Sequence, residues 1–235
     1  MKALILAAGL GSRLAPITDN CPKSMVPVNG KPILIKQIEN LLENDIDDIT
    51  IVSGYKAEVL EKAVHDLYPN IKIINSIDYA QTNNMYSAYL AKEILYGEEF
   101  LMMNADVFYD SSVITALLQC PYKNAIVTDI GRYIEESMKV VEKDGRLIEI
   151  SKAIPKEFAL GCSIDVYKFS SEGGKAFFDK CTEYIEVKKE LKKWSEVALN
   201  DALSNVIFKA CPLVGRWLEI DNHEDLSAAE QLFAK

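Results

Sequence analysis

The sequence predicts an α/β protein, a mostly parallel central sheet covered by helices on both faces, followed by a β-rich substrate-binding insertion. Three observations carry this. Short apolar runs alternate with segments of helical periodicity through the first half. After Asn124 the pattern turns β-rich. The composition, 49% hydrophobic and 26% charged over 235 residues, is that of a globular chain with a sizeable core, and the length favours one domain, 1–235, over two.

Ala3 to Ala7 is a continuous apolar run of strand length, as expected of a strand buried on both faces. A loop from Ala8 to about Pro22 leads to a helix starting near Lys31-Pro32, where proline suits a first turn and Ile35, Ile38, Leu41 and Leu42 share a face. Ile49 to Ser53 is the second strand. Lys56 to Leu67 is a helix, with Val59, Leu60, Ala63, Val64 and Leu67 on its apolar side. Ile71 to Asn75 is a strand, Asn84 to Leu95 a helix, and Phe100 to Asn104 a strand ending at Asp106. The Ser111-Ser112 pair caps a further helix. Ala125 to Asp129, Met138 to Glu142 and Arg146 to Ser151 are strands, the last two flanking Lys143-Asp144-Gly145, a hairpin signal. Ser163 to Phe169 is another strand. Helices from about Gly174 to Glu190 and Ser195 to Leu203, short strands near Val206 to Lys209 and Trp217 to Ile220, and a helix from about His223 to Phe233 follow.

The bulk charge narrows the partners. With 35 acidic and 26 basic side chains the net charge is -9, so nucleic acid or an anionic membrane meets repulsion, while a local basic site for a small phosphate is allowed. Cys21, Cys120, Cys162, Cys181 and Cys211 are scattered and lack a CxxC pair, which suggests buried free thiols and neither a disulfide framework nor a zinc site. The apolar start Met1 to Ala8 is interrupted at Gly9 to Arg13, unlike a signal peptide, and no run is long enough to span a bilayer; a cytoplasmic location is expected. His65 and His223 stand alone in helical contexts and receive no chemical role.

The most informative stretch runs from Leu6 through Gly9, Gly11, Ser12, Arg13 and Leu14 to Pro22-Lys23-Ser24. A glycine-rich turn directly after a buried strand lets backbone N–H groups converge on an anion. Arg13 adds a planar fork matched to phosphate oxygens and Lys23 a compact charge, so both can neutralise a departing pyrophosphate. A dinucleotide fingerprint does not fit, because Leu14 stands where a third glycine is needed and the second strand ends Ser53-Gly54-Tyr55 without an acid. A Walker A loop does not fit either, since Lys23-Ser24 follows Pro22 and the glycines lie too far upstream.

This pattern, Gly9-x-Gly11-Ser12-Arg13-Leu14 followed by Pro22-Lys23, resembles the signature of the nucleotide-sugar pyrophosphorylase-like nucleotidyltransferases. Ala7-Ala8 precedes it, and Pro27 and Gly30-Lys31-Pro32 follow. The resemblance implies a Rossmann-like three-layer α/β/α fold, a bound Mg²⁺, and in-line attack by a substrate phosphate on the α-phosphate of a nucleoside triphosphate. It also implies a nucleotide-binding front half, with Ala8, Gly9, Gly11, Ser12, Arg13, Lys23, Asn83 and Asp106 around the nucleotide, and a substrate-binding back half.

Asp106 lies just past a parallel strand's carboxyl end, where open α/β sheets place ligands, and resembles the family's metal-binding aspartate. Asp221 also ends a strand and resembles the second metal aspartate of related cytidylyltransferases, the alternative being a helix cap. Two carboxylates suffice for Mg²⁺. Lys152 matches the position where sugar-phosphate members carry Glu-Lys-Pro and grip the incoming phosphate; its flanks here are Ser151 and Ala153, and a solvated strand-end lysine is the alternative.

Asn83-Asn84-Met85-Tyr86-Ser87 looks like a segment of the choline-phosphate cytidylyltransferases of bacterial surface-polysaccharide pathways. That favours CTP and a small acceptor, phosphocholine or another amino-bearing phosphate. Tyr86, Tyr133, Trp194 and Trp217, with Asp129, Glu196 or Asp201, are candidates to receive a quaternary ammonium; Tyr86 and Tyr89, three apart, also fit a helix core face. The rival readings are a sugar-1-phosphate thymidylyl- or uridylyltransferase and a non-catalytic regulatory subunit that binds nucleotide. The sequence leaves the oligomeric state open, a homo-oligomer included.

Overall fold

The computed structural model describes residues 1–234. Strand β1 (Lys2–Ala7) is apolar from Ala3 onward and buried there. Residues 8–26 form an irregular loop with short 3₁₀ turns at Ser12–Leu14, Ile17–Asp19 and Lys23–Met25. The helix expected at Lys31-Pro32 begins instead at Ile33. Pro32 is extended, and Lys31-Pro32 form β3 paired with β2 (Pro27–Val28) across Asn29-Gly30, both at positive φ. Asn-Gly between two short runs is a hairpin signal that overrides a first-turn proline. Helix α1 (Ile33–Leu42), β4 (Asp48–Ser53), α2 (Ala57–Leu67) and β5 (Lys72–Asn75) follow.

The single helix predicted over 84–95 is broken at Ala91 into α3 (Asn84–Leu90) and α4 (Lys92–Leu95). Strand β6 (Phe100–Asn104) turns at Asp106 into β7 (Val107–Tyr109), then α5 (Ser112–Gln119). The β-rich part comprises β8 (Ala125–Ile130), β9 (Lys139–Lys143), β10 (Arg146–Ser151) and β11 (Gly161–Phe169), with Asp144 and Gly145 at positive φ in the expected hairpin. Helix α6 (Ser171–Thr182) passes into a π-turn over Glu183–Val187, earlier than the expected end at Glu190. After α7 (Ser195–Ala202), the strand expected at 206–209 is displaced to β12 (Lys209–Pro212), where it pairs in parallel with β8. Strand β13 (Trp217–Glu219) and α8 (His223–Leu232) follow.

The nine-stranded sheet runs β10-β9-β11-β6-β1-β4-β5, with β8 and β12 attached through β11. β1 pairs in parallel with β4 and β6, so their carboxyl ends lie side by side at Ala7, Ser53 and Asn104. Successive residues of β1 feed opposite faces. Ala3, Ile5 and Ala7 pack with α1, α2 and α5 residues such as Leu34, Leu60 and Ile114, while Leu4 and Leu6 pack with α3, α6 and α7 residues such as Met85, Phe177 and Leu199. This is the expected three-layer α/β/α arrangement with a mostly parallel centre.

A smaller cluster fixes the glycine loop. Leu14, Val26, Val28, Ile33, Phe108, Ile220 and Leu226 bury one another and tie the loop to the β7–β13 pair. That pair is closed by Arg216, whose backbone N–H and Nε donate to Asp110 Oδ2 at 2.9 and 3.0 Å and whose Nη2 donates to Oδ1 at 2.9 Å. These bonds hold the Asp110 carboxyl below its ordinary pKa. A depressed folded-state pKa contributes stability above the usual carboxylate range that is lost as pH falls through and below it. Asp110→Asn is therefore expected to lower Tm by roughly 2–4 °C at neutral pH, with the gap to wild type closing on acidification in a pH series of melts. An unchanged gap at low pH would show that the ion pair is not its source.

All five cysteines are free thiols; Cys162, Cys181 and Cys211 are buried as expected, whereas Cys21, in the irregular loop, and Cys120, at the end of α5, are only half-buried. Among the described residues no helix is long and apolar enough to cross a membrane.

Candidate active site

The carboxyl ends of β1 and β6, the glycine loop, the start of α3 and the segment after β13 enclose a cavity of about 460 Å³. Ala8, Gly9, Gly11, Ser12, Arg13, Lys23, Asn83, Asp106, Lys152 and Asp221 all line it. Residues far apart in the chain thus meet in one place.

The glycines serve two different geometric needs. Gly11 takes φ +66, and a Cβ there would lie 2.7 Å from Lys23 Cβ, so only glycine lets the two segments of the loop close on each other. A Cβ on Gly9 would meet nothing within 4 Å, which leaves room beside the backbone. Among the described residues the N–H groups of Gly9, Leu10, Gly11 and Ser12 donate no hydrogen bond to the protein. Thr18 Oγ donates to Gly11 O at 2.9 Å and Tyr55 OH to Thr18 O at 3.1 Å, tethering the loop from outside the cavity. His223 Nε2 lies 2.7 Å from Ala15 O, a tether of the same kind.

Asp106 is held by its backbone. Ile220 N–H donates to Asp106 O at 2.9 Å, and Gln37 Nε2 donates to Asn104 O and Val107 O at 2.9 and 2.8 Å. The first of these bonds brings the end of β13 beside Asp106. Asn222 caps α8 in a capping box with Asp225, so the Asp221 carboxylate is not needed as a helix cap. Lys23 Nζ lies 2.9 Å from Asp106 Oδ2 and 2.6 Å from Asp221 Oδ1, and Arg13 Nη2 lies 2.9 Å from Asp221 Oδ2. Burial works to strip the Lys23 ammonium of its proton, but Asp106 and Asp221 outweigh it and raise its pKa above the ordinary lysine value. Burial likewise disfavours the Asp221 anion, and Lys23 reverses this, leaving its pKa below normal.

Glu219 completes the acidic group. One carboxylate oxygen each from Asp106, Glu219 and Asp221 lies within 4.8 Å of the others. Burial, then the neighbouring Asp106 and Asp221 charges, push Glu219 up to about 7. Asp106 Oδ1 is buried with no hydrogen-bond partner. Converging carboxylates, one with an orphaned oxygen, fit a hard divalent cation that takes oxygen ligands. Sequence reading missed Glu219, although its place two residues before Asp221 on a strand end puts both on one side.

Lys152 Nζ lies over the Trp194 ring, 5.2 Å from its centroid. Its loop is positioned by Lys139, a buried lysine given no role from sequence, whose Nζ donates to the carbonyls of Ile134, Glu135 and Lys152. Asn83 caps α3 by accepting from Asn84 N–H at 2.8 Å, and its own N–H donates to Leu191 O at 3.0 Å. Asn84, Asn104, Asp165 and Glu196 also line the cavity; of these only Glu196 stood among the sequence candidates.

Most of the candidates for an aromatic ammonium cage are placed elsewhere. Trp194 and Glu196 line the cavity, but Tyr86, Tyr133, Trp217, Asp129 and Asp201 do not. Trp217 Nε1 donates to Asp129 Oδ2 at 2.8 Å, Tyr184 OH to Asp201 Oδ2 at 2.9 Å, and Tyr133 packs on Lys139. Tyr86 and Tyr89 pack against the core beneath α3, as their spacing allows.

A mostly parallel sheet centre with an anion-ready loop and a carboxylate cluster at its carboxyl edge defines a class of α/β protein whose cavity suits a phosphate-bearing ligand beside a divalent cation. The chain matches the nucleotidyl transferase family over residues 2–233 and belongs to it. It is 31% identical to the bifunctional protein GlmU of Methanococcus vannielii over all of its own length and 55% of that protein's, so it spans about half of such relatives. It is 27% identical to the CTP:phosphoglutamine cytidylyltransferase of Campylobacter jejuni over 96% of this chain and 98% of that one. A further match, 48% identical, is to the choline-phosphate cytidylyltransferase of Streptococcus pneumoniae, over 40% of this chain and 41% of that one. Among solved structures, the CTP:phosphocholine cytidylyltransferase LicC of Streptococcus pneumoniae superposes with a TM-score of 0.82 at 25% identity, covering 98% of this chain and 97% of that one.

Proposed function

We propose that the protein transfers the cytidylyl group of CTP to a small phosphorylated, amino-bearing acceptor and releases pyrophosphate. The observation that carries this reading is the convergence of the glycine loop, Arg13, Lys23, Asp106, Asp221 and Lys152 on one cavity. The preference for CTP rests on the Asn83-Asn84-Met85-Tyr86-Ser87 segment and on relatives that carry CTP in their names.

In this mechanism a phosphate oxygen of the acceptor bonds to the α-phosphorus of CTP as the bond to the bridging oxygen of the β-phosphate breaks, and the electron pair leaves with pyrophosphate. A phosphate dianion is already nucleophilic, so no general base is required. The free N–H groups of residues 9–12 receive the triphosphate oxygens, and Arg13 and Lys23 offset charge gathering on pyrophosphate. Lys152 orients the attacking phosphate. Asp106 and Asp221, with Glu219 in reach, would hold Mg²⁺, which when bound supplies Lewis-acid neutralisation of phosphate charge. The front half of a single domain thereby serves the nucleotide and the back half the acceptor, in a cytoplasmic setting where both substrates are available.

The test is a panel of CTP, dTTP, UTP, ATP and GTP with Mg²⁺ and a set of phosphomonoesters, read by pyrophosphate release and product mass. CTP-dependent release with a CDP-linked product is expected. A clear preference for dTTP or UTP with a sugar-1-phosphate would replace the reading, and nucleotide binding without turnover would make the chain a regulatory subunit.

A further inference from the structure

Deep in the same cavity two carboxylates meet without a counter-ion. Strand β11 pairs with β9 at Gly161 and Cys162 and with β6 from Val166 onward, and its register with β8 shifts between Ser163 and Tyr167. Asp165 sits at this change of partner with φ +57, a left-handed conformation that few non-glycine residues adopt within a strand. Its Oδ1 accepts from Tyr167 OH at 2.8 Å and its Oδ2 from Asn104 Nδ2 at 3.1 Å.

Glu196, on α7, draws on the same donors. Its Oε1 receives Tyr167 OH at 3.0 Å, Ser195 Oγ at 3.1 Å and Asn104 Nδ2 at 3.4 Å. One tyrosine proton cannot serve both acids at once. Among the described residues no lysine or arginine forms an ion pair with either carboxylate. Glu196 is only 2% exposed, lines the cavity, and its Oε2 accepts no hydrogen bond from the described residues. Burial, then the Glu196 charge, raise the pKa of Asp165 above its ordinary value, the direction expected of two acids that share donors and lack a cation. Buried charges are ordinarily paired, so a cation entering between these acids would replace the proton that their crowding favours, and no ion pair among the described residues supplies one.

We propose that Asp165 and Glu196 form the recognition site for a protonated amine on the acceptor, a primary or secondary ammonium bearing N–H donors. This deepens the cytidylyltransferase reading and rests on it for the identity of the acceptor's other end, a phosphomonoester. A quaternary ammonium fits less well. It has no N–H to offer the carboxylates and needs several aromatic faces. The cavity lining holds Tyr79 and Trp194 as its aromatics; Tyr79 packs edge-on against Tyr55, and the face of Trp194 already carries Lys152 Nζ.

The experiment compares 2-aminoethyl and 3-aminopropyl phosphate, phosphocholine, and the uncharged ethyl and propyl phosphates as acceptors with CTP and Mg²⁺. An amino phosphate is expected to exceed both phosphocholine and its uncharged counterpart at least about tenfold in kcat/KM. The isosteric variants Asp165→Asn and Glu196→Gln are expected to lower the ratio of amino to uncharged acceptor at least about tenfold while affinity for CTP holds. Equal loss with charged and uncharged acceptors would reduce the pair to a structural role, and a preference for phosphocholine would overturn the N–H requirement. Calorimetric binding of the amino phosphates to wild type and variants decides the ammonium site even if CTP proves to be the wrong nucleotide, so the two failures are distinguishable.

Discussion

Replacing Lys23 with alanine is expected to lower kcat by at least about 10²- to 10³-fold and, without Mg²⁺, to lower Tm by roughly 5–10 °C. Both effects come from the same placement. The Lys23 side chain is 13% exposed and donates to Asp106 and Asp221, so in the absence of a triphosphate its ammonium neutralises the carboxylate cluster. Alanine leaves Asp106, Glu219 and Asp221 facing one another, with the exposed Arg13 paired to Asp221 and Lys152 acting on Glu219 and Asp221 without an ion pair to either. Mg²⁺ should then restore Tm more in the variant than in wild type, because it replaces the missing charge, yet it cannot restore the rate. Melting curves across a Mg²⁺ series, paired with pyrophosphate release, separate the two roles. A variant turning over near the wild-type rate would show that the ammonium stabilises the loop and takes no part in the transfer.

The parallel half of the fold was legible in the sequence because its strands are apolar runs and its helices carry one buried stripe. Ala3–Ala7, Ile49–Ser53 and Phe100–Asn104 could be little else. Where the elements differ from expectation, a competing turn signal or a tertiary constraint decided. Lys31-Pro32 was drawn into a hairpin by Asn29-Gly30, and the strand expected at 206–209 moved three residues because its register is set by β8. The glycine loop, its cations and the two aspartates were legible as local chemistry, each at a strand end or turn. Glu219, Asp165 and the positioning role of Lys139 were not. Glu219 reads as one more acid in an acidic chain until β13 pairs with β7, and Asp165 sits mid-strand in an apolar run where only the change of partner at β11 exposes it. The ammonium candidates show the same limit, since aromatic residues are selected for a cage by spatial neighbours that spacing does not reveal.

Asp106→Ala is expected to lower kcat by at least about 10³-fold and to blunt the rise of Tm with Mg²⁺. The fold should survive this change. The turn at Asp106 is fixed by bonds that do not use its carboxylate, from Ile220 N–H to its carbonyl and from Gln37 to the carbonyls on either side. One oxygen of that carboxylate is buried without a partner, so removing it forfeits little within the protein. What is lost is an anionic ligand from a cluster of three, together with one of the two carboxylates that hold Lys23 over the site. The variant should therefore retain its cooperative melt while losing both turnover and most of the Mg²⁺ response. The converse pattern, a full Mg²⁺ response with normal turnover, would place the cation somewhere other than at this strand end, and with it the α-phosphate that the mechanism brings there.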